Sequence, residues 1–182
     1  MIGALVAGQV GSGGAVLSSY DSIATVTGTG STSVLSFTSI PSTYKHLQIR
    51  GLNNDATGYF CYIQFNSDTG TNYTIHQFYG NGSAASAAGY ITQNYILCGT
   101  AGYGGAAYVA PTVIDILDYT NASKNKTLRN LTGFDSNAAY TPYVQVNSGV
   151  WLNTAAITRI DIKMTGNFTT SSTFALYGIK EA

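Results

Sequence analysis

Short stretches of alternating apolar and polar residues, separated by clusters of Gly, Asn, Asp, Ser and Pro, follow one another along almost the whole chain. This pattern constrains the fold more than any other feature. A side-chain period of two belongs to a half-buried strand, and no stretch carries the 3.6-residue period of an amphipathic helix. The cleanest case lies in Ile157–Thr165, where Ile160, Ile162 and Met164 alternate with Arg159, Asp161 and Lys163. A second stretch, Ser39–Gly51, joins a turn to a strand. Pro41 fixes its own φ and biases Ile40 away from helix. After the turn, Leu47 and Ile49 point one way, and His46, Gln48 and Arg50 the other. The remaining strands read as additions to this one.

In chain order, Tyr20–Thr27 and Val34–Thr38 form a hairpin around Gly28–Ser31, and the 45–52 strand follows the Pro41 turn. Further strands are expected at Tyr59–Phe65, Asn72–Tyr79, Tyr90–Cys98, Thr112–Tyr119 and Thr127–Phe134. Three more lie at Tyr143–Leu152, interrupted at Ser148-Gly149, at Ile157–Thr165 and at Thr173–Lys180. Residues 80–89 and 99–107 read as small-residue loops. Ten or eleven short strands with turn signals every 8–15 residues or so point to an all-β fold, an antiparallel β-sandwich of jelly-roll-like type. No internal repeat suggests a propeller or solenoid.

At 182 residues the chain fits one domain with a short appendage. Residues 21–182 are expected to form the sandwich, and residues 1–20 an extended attachment arm. Glycines at 3, 8, 11, 13 and 14 make the arm a poor helix and a poor isolated strand. Ile2, Leu5 and Val6 are its candidate anchors on a partner.

Charged residues make up 9% of the chain, against about 25% in typical soluble proteins. The surface must therefore be built from Ser, Thr, Asn, Gln, Tyr and Gly. Such a surface repels copies of itself weakly and suits a protein that lives assembled. Eight basic residues balance eight acidic ones, and the only basic cluster, Lys124, Lys126 and Arg129, reads as a solvated turn. Nucleic acid as a partner needs a basic stripe and is not expected. No run reaches the roughly 18 apolar residues that span a membrane. The apolar start, Met1–Gly8, has no Lys or Arg before it, which argues against a secretory signal peptide.

Residues with chemical potential are few and scattered. Asp115 and Asp118, three apart on a strand, would face opposite sides and suit neither a glycosidase pair nor a shared metal. Asp21, Asp55, Asp68 and Asp135 fall in turns or at strand starts, where Asp bonds locally. His46 and His76 sit on strands without a recognisable partner. No nucleophile elbow, zinc-protease, P-loop or paired CxxC pattern is present. Cys61 and Cys98 lie in apolar strand contexts and read as buried free thiols. No catalytic residue, metal ligand set or cofactor is expected, and the protein reads as a non-enzyme. The fourteen tyrosines carry more information. Tyr59, Tyr62, Tyr73, Tyr79, Tyr90, Tyr95 and Tyr103 crowd the middle third. Tyr buries area while keeping a polar tip, so these are interface candidates, with ordinary core and a sugar-stacking surface as the alternatives. Trp151 is expected to plug the core.

Several segments together resemble the β-sandwich virion proteins of tailed phages, especially those of marine and cyanobacterial phages. They are Ser19–Val26, Ser39–Gly51, Phe65–Tyr73, Val113–Tyr119, Lys126–Arg129 and Ser172–Lys180. The resemblance runs from about residue 19 to the C-terminal end and leaves the arm outside it. It implies a structural protein on the outside of a particle, located in the virion and self-associating as a homotrimer; the expected lack of a signal peptide points to synthesis in the host cytoplasm. The leading expectation is a capsid decoration or cement protein that contacts the major capsid protein through the arm. The alternative is a tail or fibre component, among tail proteins, with host-surface glycan adhesion.

Overall fold

The structure, a computed structural model, describes residues 19–55, 60–103, 108–137 and 141–180. The expected anchors Ile2, Leu5 and Val6, and Tyr59, lie outside the described residues, as does the side chain of Tyr103. The described residues contain no helix. Thirteen strands follow in order: β1 (Tyr20–Thr27), β2 (Thr32–Phe37), β3 (His46–Asp55), β4 (Phe60–Phe65), β5 (Tyr73–Gly80), β6 (Ala85–Gln93) and β7 (Ile96–Thr100). After them come β8 (Gly102–Tyr103), β9 (Ala110–Leu117), β10 (Lys126–Phe134), β11 (Tyr143–Trp151), β12 (Ile160–Phe168) and β13 (Thr173–Ile179). The fold is all-β and antiparallel, as the period-two pattern requires. The one parallel pairing among the described residues joins β3 to the two-residue β8.

Eight strands form a large sheet in the order β6-β5-β11-β10-β9-β3-β13-β1. Four form a small one in the order β2-β12-β4-β7. The two are linked where Phe168 of β12 pairs with Asp55 at the end of β3, so the network folds back over a single core. β3 is the hub: it pairs with β9 on one side and β13 on the other, and its last residues meet β8 and β12. The turn before it is held by Tyr119, which is buried, donates its hydroxyl to the Pro41 carbonyl and accepts the Tyr44 N–H.

Alternation then fills the interior. Leu47 and Ile49 from β3, Ile114 and Ile116 from β9, and Ile160 and Ile162 from β12 are fully buried in one cluster. Each such side chain contributes about 1.5–3 kcal/mol by leaving water. Trp151 plugs one end as expected, its ring 5.7 Å from Phe65 and stacked at 6.3 Å on Tyr73. Its indole N–H donates to Asp68 Oδ2 at 2.7 Å. Burial alone would raise the Asp68 carboxyl, but hydrogen bonds from Trp151, Asn72 and the Gly70 N–H outweigh it and hold the group below its ordinary value.

The small sheet lies close on the large one because two positions lack a side chain. A Cβ on Gly149 of β11 would stand 2.4 Å from Ile96 Cγ2, and one on Gly99 of β7 would stand 1.9 Å from Thr132 Cγ2. Gly99 also takes a φ of 111°, inside an irregularity of the β4–β7 pairing. Ser148-Gly149, expected to interrupt a strand, therefore lies inside an unbroken β11 as a packing device. Two other boundaries differ from expectation. The 90–98 strand divides at Asn94-Tyr95 into β6 and β7, and half of the expected 80–89 loop is the beginning of β6. Ala85, Ala87, Ala88 and Gly89 carry no strand propensity of their own; pairing with β5 supplies it.

Candidate functional site

Register across the large sheet assembles an apolar face that no single strand announces. Phe78 of β5 pairs with Val146 of β11, Val146 with Leu131 of β10, and Leu131 with Val113 of β9. All four lie on the outer side, exposed by 58%, 49%, 54% and 38% respectively. Adjacent strands lie about 4.8 Å apart, so this row runs about 14 Å across the sheet. Val144 and Leu52, both exposed, extend it by one row. The next row in the other direction is polar: Ser148, Arg129, Asp115 and Gln48 follow one another through the register. Here Asp115 accepts from Gln48 Nε2 at 2.7 Å and from Arg129 Nε at 3.2 Å. Arg129 is thus paired within the face, whereas Arg50, exposed beside Val113, donates to Gln48 Oε1 and lies over the Tyr20 and Tyr177 rings.

A second surface lies where the two ends of the sheet path, β6 and β7, come near each other. A cleft of about 270 Å³ opens there, walled by Phe60 and Tyr62 of β4, Tyr90 of β6, and Tyr95. Gln77 and Gln93 supply its amides. An adjoining lobe of about 230 Å³ shares Phe60, Gln77 and Tyr90 and adds Tyr79, Tyr143 and Gln145. Tyr62 and Tyr95 rings lie 4.3 Å apart, and Tyr79 and Tyr143 rings 6.1 Å apart. Burial pushes the Tyr95 phenol up, and the Tyr62 and Tyr90 phenols add to it, so the group stays neutral. Under the cleft, Gln145 is buried and donates to Gln77 Oε1 at 3.0 Å and to Asn147 Oδ1 at 2.9 Å. Asn147 is fully buried, and its amide nitrogen finds no partner among the described residues.

Of the expected interface tyrosines, four line this cleft: Tyr62, Tyr79, Tyr90 and Tyr95. Tyr73 does not belong with them. It is fully buried, donates to the Asp68 carbonyl at 3.0 Å and accepts the Phe65 N–H at 3.1 Å. Burial, countered only in part by the Phe65 hydrogen bond and reinforced by Asp68 and Asp161, pushes its phenol up to about 12. Its place along β5 decides this: Tyr73 and Tyr79 share one face of the strand, and Tyr73 lies at the end packed against Phe65 and Trp151. The sequence did not single out Phe78, Leu131, Val144, Val146 or Gln77. Each is a common residue at a common spacing, and only cross-strand register gives it meaning.

The remaining candidates have local partners. Lys126, expected in a solvated turn, is fully buried and donates to the carbonyls of Asn121, Lys124 and Thr154 at 2.6, 2.8 and 2.8 Å. Burial lowers its pKa, with Asp118 opposing. It clips three loop carbonyls together, and Arg129 is paired with Asp115. Asp118 lies past the end of β9 with a φ of 48°. Its carboxylate meets Lys124 at 3.0 Å and Lys45 at 3.7 Å, and the Lys124 hydrogen bond holds it below its ordinary value despite some desolvation. Its backbone N–H donates to His46 Nδ1 at 3.0 Å. His76 stands exposed on β5. Cys61 and Cys98 are free, buried thiols, and burial and the neighbouring Cys61 push the Cys98 thiol well up. No cluster of three or more His, Cys, Asp or Glu side chains could hold a metal ion among the described residues. Comparison with protein-family models, curated proteins and solved structures gives no match to this chain, so its chemistry is read from its own residues.

Proposed function

We propose that this chain is a structural protein of a tailed-phage virion that self-associates through the outer face of its large sheet and decorates the capsid shell. The observation that carries the reading is the row Phe78–Val146–Leu131–Val113, four exposed apolar side chains in register on four neighbouring strands. Contiguous apolar surface of this kind marks a protein contact. The occupant that fits is a second copy. Three copies turned about a common axis would bring this row of each copy to a shared centre, with Arg129 paired to Asp115 beside it and Arg50, next to Val113, left as charge at the row's end. With 16 formally charged side chains of Lys, Arg, Asp and Glu in 182 residues, little else on the surface resists assembly.

The virion reading itself rests on the sequence segments that resemble phage virion proteins. Five of the six supply β1, most of β3, β13, and parts of β9 and β10, neighbours in the large sheet, and the sixth, Phe65–Tyr73, joins β4 to β5. A homotrimer with the segment before β1 reaching the major capsid protein is the assembly proposed; Tyr20, expected in the arm, is already paired with Ile179 in the sheet. Burial of apolar area across capsomer joints, repeated over many copies, is how it would reinforce the shell. Quantitative mass spectrometry of purified particles tests the location. Hundreds of copies per particle agree with a shell protein; a few to a few tens would move the chain to the tail. That second reading, a tail or fibre component, is favoured by one specific observation, the aromatic cleft.

A further inference from the structure

We propose that the cleft between β6 and β7 binds a neutral carbohydrate, with a pyranose ring against Tyr90 and its hydroxyls on the Gln77 and Gln93 amides. The argument starts from what lines it. Neither lobe has an Asp, Glu, Lys, Arg or His among its lining residues. An anionic ligand such as a phosphate, nucleic acid or acidic polysaccharide would find no counter-charge there. What the cleft offers is aromatic faces and amides. The C–H face of a sugar ring carries slight positive charge and packs on the negative face of an aromatic ring. Hydroxyl groups both donate and accept, which side-chain amides match from one planar group.

The backbone is shaped for this arrangement. Tyr90 and Gln93 are three residues apart and on a regular strand would point to opposite faces. The β5–β6 pairing slips between them: Tyr90 stands opposite Ile75, and Gln93 opposite Tyr73. The bulge contains Thr92 at a φ of 54°, a strained conformation for a β-branched residue. Its effect is to bring both side chains to the cleft. The amide floor is oriented as well. Gln77 receives the Gln145 amide on its oxygen, which leaves the Gln77 Nε2 hydrogens as donors without a partner among the described residues. Phe60 and Tyr90, each nearly half exposed, wall both lobes, so the site has room for a sugar in either lobe and a linkage between them.

The test uses the full chain against a panel of neutral oligosaccharides based on glucose, galactose, mannose and N-acetylglucosamine, with sialylated and sulfated glycans and a proline-rich peptide as comparison probes. Hits are measured by calorimetry and by saturation-transfer NMR. The expected result is binding of a neutral glycan that is insensitive to salt and weakened about tenfold or more by Tyr90→Ala and by Gln77→Ala. Leu131→Arg, on the opposite side of the large sheet, should leave it unchanged, which separates this site from self-association. Circular dichroism of each variant checks that the fold is retained, and Gln93→Ala offers a second substitution should Tyr90→Ala fail it. Absence of binding to every neutral glycan would overturn the proposal. So would affinity only for the charged glycans or the peptide, or a neutral glycan whose binding ignores all three cleft variants.

Discussion

The outer face of the large sheet and the cleft between β6 and β7 both expose large apolar side chains, yet they differ in shape and in chemistry. On the sheet face, Phe78, Val146, Leu131 and Val113 form a flat row beside a neutralised ion pair. In the cleft, Phe60, Tyr62, Tyr90 and Tyr95 surround a hollow with an amide floor. Apolar side chains spread along a sheet face with no amide beside them regain what hydration costs them only against another broad apolar surface. Aromatic rings and amides around a concavity can orient a small polar molecule. Exposure alone would have merged two surfaces that suit different partners.

The sharpest way to break this comparison is to charge one surface and blunt the other. Phe78→Asp should weaken self-association by about 3 kcal/mol, roughly a hundredfold or more in dissociation constant, while Tyr90→Ala leaves association unchanged. A dilution series followed by light scattering reads both. Equal effects of the two variants would merge the surfaces again.

The next effect acts on the packing that shapes the cleft. Gly149→Ala pushes a methyl into Ile96 and should cost about 2 kcal/mol of folding stability in urea, the range of an overpacked core. It should disturb ligand binding more than association, because β7 borders the cleft and not the outer face.

These two predictions also separate what the sequence made legible from what it did not. The strand character of β3, the apolar face of Ile160, Ile162 and Met164, the buried thiols and the Trp151 plug are local patterns, and each follows from periodicity or residue type. The outer row joins residues from four strands, with Phe78 and Val146 paired across 68 positions of chain, and no local pattern encodes that register. β6 escaped because alanines and a glycine hold a strand only when a neighbour pairs with them. Tyr73 and Tyr79 are the same residue on the same strand, yet one is core and the other walls the cleft. Lys126 reads as a surface charge until three carbonyls are seen converging on it.

A smaller effect concerns the end of the core where Trp151 meets Asp68. The Asp68 carboxyl is held below its ordinary value of 3.8 in the folded chain. Its stabilisation is therefore complete above that value and is lost as pH falls through the lower folded one. Trp151, the only tryptophan, donates to Asp68 and should report the change by fluorescence below pH 3.8. Asp68→Asn should remove that transition and cost about 1–2 kcal/mol at neutral pH. A transition that persists in the variant would assign it to another group.

The smallest effect is at the ion pair beside the apolar row. Arg129 is mostly exposed, so Arg129→Ala should change folding stability by less than about 0.5 kcal/mol. Its consequence for assembly is a difference in salt dependence, since Asp115 is then left uncompensated between copies. Association of this variant should strengthen with added salt, whereas the unaltered chain should respond little.

The central claim is that the outer row is a contact between copies of this chain. Sedimentation velocity of the full chain beside its Leu131→Arg variant, at matched concentrations, tests it most directly. The account predicts an oligomer, a trimer by the proposed assembly, for the unaltered chain and a folded monomer with an unchanged melting temperature for the variant. A monomer for both, or the same oligomer for both, would contradict it.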